Sequence, residues 1–252
     1  MTGRTNIFVR PVIRYSMKFF YRHRVSFGFI CLFLALAFTV GVCCYALTVT
    51  SVAETRRFTV VLDAGHGGID GGVVGINTGM KESDVNLSLT RILAARLEDA
   101  GLNVVLTRKT EAGLYGAATS GYKRRDMKAR AEVIKKNTPA LVISVHQNFF
   151  SLHDRRGAQV FYRKGFEQAK TLACLIQTSF NEMEECVKKS DALVGDYYIL
   201  NCSDYPSVIT ECGFLSNAED EKLLVTKEYQ EKIAAAITVG VLSFLSLSAS
   251  GD

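Results

Sequence analysis

Several residue types are scarce in this chain of 252 residues, and each shortage excludes a class of structure. Only three prolines occur, and there are no internal repeats or low-complexity linkers, so the region from residue 57 onward should form one domain rather than a string of modules. None of the seven cysteines stands in C-x-x-C spacing, which argues against a cysteine-ligated zinc site. Four cysteines outside the N-terminal apolar stretch allow three disulfide pairings or serve as small buried hydrophobic residues: Cys174, Cys186, Cys202 and Cys212.

Acidic residues are absent before Glu54, whereas six basic residues lie within the first 24 positions. Residues 25–53 carry no charge, and a membrane-spanning helix needs roughly 20 apolar residues. Because basic flanks stay in the cytoplasm, we predict a basic cytoplasmic tail over 1–24, one transmembrane anchor over 25–53 and an extracytoplasmic domain after it. The run Ser51-Val52-Ala53 has the form that a signal peptidase accepts, but the apolar stretch is longer than an ordinary signal core, which favours an uncleaved anchor.

Removing this N-terminal region changes the charge balance of the chain. The net charge of the whole sequence is +5, but only 24 basic and 25 acidic residues remain after residue 53. The positive charge therefore belongs to the tail. A domain without a basic surplus has no general attraction for nucleic acid, so we expect no nucleic-acid partner.

From residue 57 onward the pattern alternates between short apolar runs and helical periodicity. Continuous apolar runs are typical of strands that are buried on both faces of a parallel sheet. We therefore predict an α/β fold, a single domain with a mainly parallel central sheet flanked by helices, preceded by one N-terminal transmembrane helix. The expected strands are 58–62, 104–107, 141–145, 158–162, 197–200 and 208–210, and the expected helices are 83–100, 124–137, 166–181, 219–224 and 228–245.

A glycine-rich stretch, residues 65–79, follows the first predicted strand. Its glycines are too irregular for a dinucleotide-binding fingerprint, and it lacks the lysine of a phosphate-binding loop. We interpret it as backbone that turns tightly around a site.

Two histidines and a glutamate follow three of the predicted strands. His66 comes after the first strand, His146 after the third and Glu211 after the last. Because the carboxyl ends of parallel strands meet in one crevice, we expect these side chains to converge. Two imidazoles and a carboxylate at one edge are typical of a divalent metal site with a catalytic acid or base beside it.

A catalytic zinc site needs three protein ligands and one open position. Of the other histidines, His153 lies in a charged loop and is interpreted as solvated, so the third ligand should be a carboxylate. Glu82, at the start of the predicted helix, is one candidate, and position in the sequence leaves the alternatives open: Asp63, Asp70 and Asp84.

Four segments together resemble the zinc-dependent N-acetylmuramoyl-L-alanine amidases of type 3. They occur in the family's order and cover about residues 57–248: Leu62–Gly72, Glu82, Ser144–Asn148 and Glu211–Asn217. The resemblance implies that His66, Glu82 and His146 bind one Zn²⁺ ion and that Glu211 is the catalytic residue. It also implies hydrolysis of the amide bond between N-acetylmuramic acid and the L-alanine of peptidoglycan stem peptides. Two positions depart from the family pattern, Ala64 for a common proline and Cys212 for a frequent valine, and neither replaces a functional group.

The arrangement of a short basic tail, one anchor and a bare catalytic domain is similar to the germination-specific subgroup of this family, as is the stretch Gly121–Ala131. That resemblance implies a role in spore cortex formation, where removal of the stem peptide precedes muramic-lactam formation by a deacetylase. The expected partners are then peptidoglycan, the membrane, this deacetylase and a helper protein. The expected location is a cell membrane, with the catalytic domain extracytoplasmic, between the spore membranes.

Other functions fit the same residues. A zinc carboxypeptidase or a deacetylase of peptidoglycan would use the same metal chemistry, and a non-catalytic wall-binding module would need a closed site with four protein ligands.

Several neighbouring residues receive a structural interpretation. Asp63 or Asn148 could orient a ligand imidazole through its second nitrogen. Arg108 and Arg130 are expected to form surface salt bridges rather than to bind substrate. The run Tyr122–Arg125 is expected to be a solvated start of a helix.

Overall fold

The computed structural model describes residues 33–39, 58–117 and 119–249. Residues 33–39 form a short, exposed helical stretch. The rest of the predicted tail and anchor, 1–32 and 40–53, lies outside the described residues, so the anchor remains a prediction.

The part of the chain that follows is built on a six-stranded sheet in the order β2-β1-β3-β6-β4-β5. The strands β1, β2, β3 and β6 run parallel, β4 lies antiparallel to β6, and β5 pairs parallel with β4. A mainly parallel sheet is thus confirmed. The strands are β1 (Thr59–Ala64), β2 (Asn103–Leu106), β3 (Leu141–Asn148), β4 (Gln159–Tyr162), β5 (Leu193–Val194) and β6 (Ser207–Phe214).

Helices cover both faces of this sheet, as predicted. They are α1 (Glu82–Asp99), α2 (Tyr122–Asn137), α3 (Glu167–Asn181), α4 (Tyr198–Asn201), α5 (Ala218–Leu224) and α6 (Lys227–Ala249). One face carries α1, α3 and α6 over the large hydrophobic cluster, which includes Leu62, Leu93 and Ile237. The other face carries α2 and the single turn α4 over a smaller cluster, which includes Val61, Ile134 and Ile209.

The unequal size of the two clusters has a consequence for the site. Alternate residues of a strand point to opposite faces, so Val61 and Asp63 share the face covered by α2. Because α2 and α4 cover only part of that face, the polar residues at the carboxyl ends of the strands border a cavity there.

The helix α6 is long and apolar enough to span a membrane, and it is the one such helix among the described residues. Its most apolar stretch is 44% buried, and it packs against α1 and α3. This packing explains its composition as that of a core helix.

One predicted element is wrong. The run Tyr197–Leu200 was expected to be a strand, but Tyr198–Asn201 form α4, and the edge strand β5 lies before it. Aromatic and β-branched residues favour strands, whereas here the packing of Ile199 and Leu200 into the smaller cluster determines a helical turn. The four cysteines of this domain are free, and only Cys212 is buried.

Candidate metal centre and active-site cavity

The predicted site residues lie on the adjacent strands β3 and β6, two residues after the end of β1, and on the first turn of α1. In the register of the sheet, Asp63 on β1 pairs with Ser144 on β3, and His146 on β3 pairs with Glu211 on β6. His146 and Glu211 lie inside their strands rather than beyond them, because β3 continues to Asn148 and β6 to Phe214. His146 and Glu211 therefore come together because they are paired positions on neighbouring strands.

His66, Glu82 and His146 form one compact group. His146 Nδ1 lies 2.9 Å from Glu82 Oε1, and His66 Nε2 lies 3.3 Å from Glu82 Oε2. One donor atom from each of the three residues lies within 4.8 Å of the other two, so these residues could hold a metal ion. The carboxylate in this group is Glu82, whereas Asp63 and Asp84 lie outside it.

The Glu82 carboxylate is held in place by several donors. The backbone N–H groups of Val73 and Gln147 donate to it at 3.0 and 3.1 Å, and Asn86 Nδ2 donates at 3.2 Å. Burial raises the pKa of Glu82, but the hydrogen bonds and charges of His146 and His66 outweigh burial and lower it well below its usual range. Glu82 is therefore a fixed carboxylate anion.

The histidines respond in the opposite direction. Burial disfavours the charged imidazole of His146, but the hydrogen bond and the charge of Glu82 outweigh burial and raise its pKa. The pKa of His66 is raised by the same balance of burial and Glu82. The group thus stabilises positive charge at its centre, and metal binding to such a group releases protons.

The turn that carries His66 requires glycine on both sides. His66 has a left-handed backbone with φ 61°, which is uncommon for a residue with a side chain. The preceding Gly65 lies directly under the His146 ring, and a Cβ there would collide with the imidazole. This close approach accounts for part of the glycine-rich stretch that was expected to turn around a site.

Two buried arginines hold this turn. Arg108 donates to the carbonyl oxygens of Ala64 and Gly65, and Arg130 donates to those of Ala64 and His66. Arg108 is 2% exposed and Arg130 1%. The predicted surface location is wrong for both, because their donors are used inside the domain to fix three consecutive carbonyl groups. Arg130 does form salt bridges, but they are buried, whereas Arg108 forms none among the described residues.

Arg130 is the centre of a cluster of charges that we call the arginine cluster: Asp63, Asp126 and Arg130. Arg130 contacts Asp63 Oδ1 at 2.6 Å through Nη1 and Asp126 Oδ2 through Nε. Asp63 also accepts hydrogen bonds from Thr107 and Ser144. Sequence reasoning missed this cluster, although the spacing of four residues between Asp126 and Arg130 on a helix was a signal for an ion pair.

The residue beside His66 is Asp70. Its Oδ2 atom lies 3.1 Å from His66 Nδ1, although the geometry is not that of a hydrogen bond, since Nδ1 is buried without a hydrogen-bond partner in the described residues. The expectation that Asp63 or Asn148 orients an imidazole is wrong. Asp63 belongs to the arginine cluster, and Asn148 donates to Gln159.

Glu211 lies beside the three donors, as the register partner of His146, and forms no ion pair among the described residues. Its Oε2 atom is buried and has no hydrogen-bond partner among the described residues. Burial, the largest effect, raises the pKa of Glu211 to about 7; His146 opposes this and Glu82 adds to it. A carboxyl group with a pKa near neutrality can both accept and donate a proton, as a general acid or base must.

These side chains open into a cavity of about 280 Å³. His66, His146 and Glu211 line it, together with members of the arginine cluster. The lining also includes four tyrosines from two different segments: Tyr115, Tyr122, Tyr197 and Tyr198. The tyrosines of the second segment were predicted as a strand and not as part of the site. His153 is exposed and lies outside this lining, with Nδ1 2.7 Å from the Ser216 carbonyl oxygen.

The donor set fits a metal ion of the zinc type. Two imidazoles and one carboxylate leave an open position, whereas structural zinc sites use four protein ligands. Two further observations agree with a site that binds a further group. Gly65 packs closely under the His146 ring, and the atoms His66 Nδ1 and Glu211 Oε2 have no hydrogen-bond partner among the described residues.

The fold and the cavity first define the class, an α/β enzyme domain with a half-open cluster of two histidines and a glutamate beside a buried carboxyl group. The family then follows from comparison. The N-acetylmuramoyl-L-alanine amidase family matches residues 60–243, and the chain belongs to this family. Its activity is accordingly that of an N-acetylmuramoyl-L-alanine amidase acting on peptidoglycan.

Individual relatives agree with this assignment. The germination-specific N-acetylmuramoyl-L-alanine amidase of Bacillus subtilis is 33% identical over 191 residues, which cover 74% of this chain and 79% of the relative. The CwlD amidase of Clostridioides difficile, solved in complex with the GerS lipoprotein, is 36% identical with a TM-score of 0.73, over 75% of this chain and 99% of that chain. The catalytic domain of the amidase CwlV from Bacillus (Paenibacillus) polymyxa is 26% identical with a TM-score of 0.66, over 75% and 98%.

Proposed function

We propose that this protein is a zinc-dependent N-acetylmuramoyl-L-alanine amidase in which His66, Glu82 and His146 bind one Zn²⁺ ion and Glu211 is the catalytic acid and base. The observation that carries the proposal is the group of three donors within 4.8 Å of one another, two of which, His66 and His146, line an open cavity together with Glu211. The catalytic domain is proposed to cover residues 57–248.

Each side chain then has a defined task. Zinc, when bound, would lower the pKa of a water molecule and polarise the scissile carbonyl group. Glu211 would take a proton from the attacking water and pass it to the nitrogen of the leaving L-alanine. Its buried position favours this exchange. Burial raises the pKa of Glu211 to about 7, so the neutral and the charged carboxyl forms lie close in free energy near neutral pH. Glu82, fixed by Val73, Gln147 and Asn86, would keep both histidines in place.

The direct test is digestion of purified peptidoglycan by the full-length protein in detergent, with and without a zinc chelator. An amidase releases intact stem peptides with a free L-alanine amino terminus and leaves glycan without peptide. Mass spectrometry distinguishes this from a carboxypeptidase, which shortens the peptide at the other end, and from a deacetylase, which releases acetate. Either of those products, or unchanged activity after complete removal of zinc, would contradict the proposal.

We further propose that the reaction serves spore cortex formation. The similarity to a relative named as germination-specific supports this role. The complex of the similar CwlD amidase with a lipoprotein supports a helper protein of that kind. A deacetylase would act on the product, since muramic-lactam formation requires prior removal of the stem peptide. Deletion of the gene should yield spores whose cortex lacks muramic lactam, measured by chromatography of digested cortex; normal lactam content would contradict this role.

The proposed location follows from the sequence of the N-terminal region. Residues 1–24 would form the cytoplasmic tail and residues 25–53 an uncleaved anchor, so that the catalytic domain lies outside the cytoplasm. Single-cysteine labelling with a membrane-impermeant maleimide tests this topology. In a variant without the seven native cysteines, produced in vegetative cells, a cysteine introduced in the exposed loop at Gly116 should react in intact cells, and one introduced at Thr5 should react only after lysis.

A further inference from the structure

Among the described residues, the cavity lining has one lysine or arginine that is free to meet a ligand. Two such side chains line it, Arg130 and Lys123. Arg130 is buried and its donors are occupied by Asp63, Asp126 and two carbonyl groups. The Lys123 side chain is 67% exposed, and its ion pair in the described part of the chain is a loose one, with Nζ 3.8 Å from Asp70 Oδ1.

Lys123 lies near the proposed reaction centre. Asp70 contacts Lys123 through Oδ1 and approaches His66 Nδ1 at 3.1 Å through Oδ2. The ammonium group is thus separated from a proposed zinc ligand by a single carboxylate. Because Lys123 lines the same cavity as His66 and His146, a substrate whose scissile bond lies beside the two histidines would bring groups a residue or two away to Lys123.

The first turn of α2 also breaks a local rule of helix construction. It contains Lys123, Arg124 and Arg125 with no acidic residue, and no side chain caps it at Gly121. Cations are unfavourable at the positive end of a helix dipole, so this arrangement weakens the helix. A broken local rule at the wall of a cavity is expected where a sequence serves binding rather than folding.

We propose that Lys123 is a specificity-determining residue that binds a carboxylate of the stem peptide. The proposal rests on the proposed amidase function and names the part of the substrate that this wall recognises. A stem peptide carries at least its terminal carboxylate, and an incoming carboxylate would share or replace the weak contact of Lys123 with Asp70. The surrounding positive charge of Arg124 and Arg125 adds long-range attraction for an anionic peptide.

The test compares two N-acetylmuramoyl tripeptides, one with free carboxylates and one in which every carboxylate is a carboxamide. The full-length zinc-loaded protein should cleave the free acid with a kcat/KM about fivefold higher, as expected for an exposed ion pair at the upper end of its range. Lys123→Met should remove this preference by lowering kcat/KM for the acid alone, whereas Lys123→Arg should keep most of it. Lys128→Met, an exposed lysine on the same helix outside the cavity lining, is the matched control and should leave both rates unchanged.

Binding provides a second measurement that does not depend on turnover. Calorimetric titration with the released tripeptide, as acid and as amide, should show the same preference and the same loss in Lys123→Met. If neither substrate is cleaved, the amidase proposal fails, and the titration still decides the role of Lys123. An equal affinity of the wild type for both peptides, or a preference that survives in Lys123→Met, would overturn the role of Lys123.

Discussion

Two clusters of charged side chains lie next to each other at the carboxyl ends of β1 and β3, and they differ in completeness. In the arginine cluster, Asp63 and Asp126 each meet Arg130. Their carboxylates also accept hydrogen bonds from Ser144, Thr107 and the Leu114 backbone, so every carboxylate oxygen has a partner. The second group, which we call the histidine cluster, consists of His66, Glu82, His146 and Glu211. Two of its atoms, His66 Nδ1 and Glu211 Oε2, have no hydrogen-bond partner among the described residues.

The difference shows how burial and pairing separate structural from functional charge. Charges buried with all their partners hold elements together, here β1 and α2, and have nothing left for a ligand. Buried polar atoms without partners cost stability, and in the histidine cluster two such atoms belong to residues that line the cavity, His66 and Glu211. Through Arg130, the arginine cluster fixes the backbone turn that carries His66, and His66 is a member of the histidine cluster.

The largest expected effect is a loss of activity when residues of the histidine cluster are changed. Glu211→Gln keeps the shape of the side chain but removes the proton acceptor, so kcat should fall by roughly 10²- to 10⁴-fold while zinc remains bound. His66→Ala should lose both activity and zinc. Turnover of peptidoglycan and metal content by mass spectrometry are measured on the same samples. Glu132→Gln, an exposed glutamate on α2, should be unaffected; normal activity in Glu211→Gln would refute the assignment of Glu211.

The next effect concerns stability. Arg130→Met leaves Asp63 and Asp126 buried without their cation, and breaking a buried pair in this way costs about 3–5 kcal/mol of the free energy of unfolding. Urea unfolding with circular dichroism measures it. Arg96→Met breaks an ion pair with Glu231 whose side chains are about 40% exposed and should cost less than about 1 kcal/mol. Equal losses in the two variants would show that the arginine cluster is not a structural core.

A metal should stabilise the histidine cluster. A ligand that binds only the folded state adds about 2.7 kcal/mol at a free concentration 100 times its dissociation constant. Zinc added to chelator-treated protein should therefore raise the unfolding temperature, as followed by differential scanning calorimetry. His146→Ala should abolish the shift, and His153→Ala, whose ring lies outside the cluster, should retain it. A shift that persists in His146→Ala would place the zinc elsewhere.

The smallest effect is a pH dependence of the arginine cluster. Burial raises the pKa of Asp63, but Arg130, Ser144 and Thr107 outweigh burial and lower it from 3.8 to about 2. Since the folded pKa lies below the unfolded one, this carboxylate adds roughly 2 kcal/mol above pH 4, and the contribution is lost as the pH falls towards 2. The difference in unfolding free energy between the wild type and Asp63→Asn, measured in urea without metal, should shrink by that amount between pH 4 and 2. A constant difference over this range would contradict the ion pair.

Much of this architecture could be predicted because it depends on local patterns. Apolar runs identified β1, β3 and β6, and helical spacing identified α1 and α3 within one or two residues. The histidines and Glu211 could be placed at one edge of the sheet because parallel strands share a direction. The failure at α4 has the opposite origin, since four residues have too little periodicity of their own and follow the packing of Ile199 and Leu200.

The residue pattern alone left the carboxylate ligand open among Glu82, Asp63, Asp70 and Asp84, with a slight positional advantage for Glu82, and the family resemblance pointed to Glu82. The folded chain gives the physical reason, because the environments of these carboxylates differ. Asp63 is occupied by Arg130, Asp70 faces Lys123, and Glu82 lies between the two imidazoles. The spacing of Asn86 four residues after Glu82 was the one local signal that Glu82 has a supporting partner on α1.

The order of residues thus established the α/β fold, the three strands that carry the site and the residue types of its chemistry, because each depends on periodicity over a few neighbouring residues. Folding in three dimensions established which carboxylate joins the histidines, why Arg108 and Arg130 are buried, and which cation remains available in the cavity. Those outcomes depend on contacts between residues far apart in the chain, Asp63 with Arg130 and Glu82 with His146, and on the order of strands that brings them within hydrogen-bonding distance.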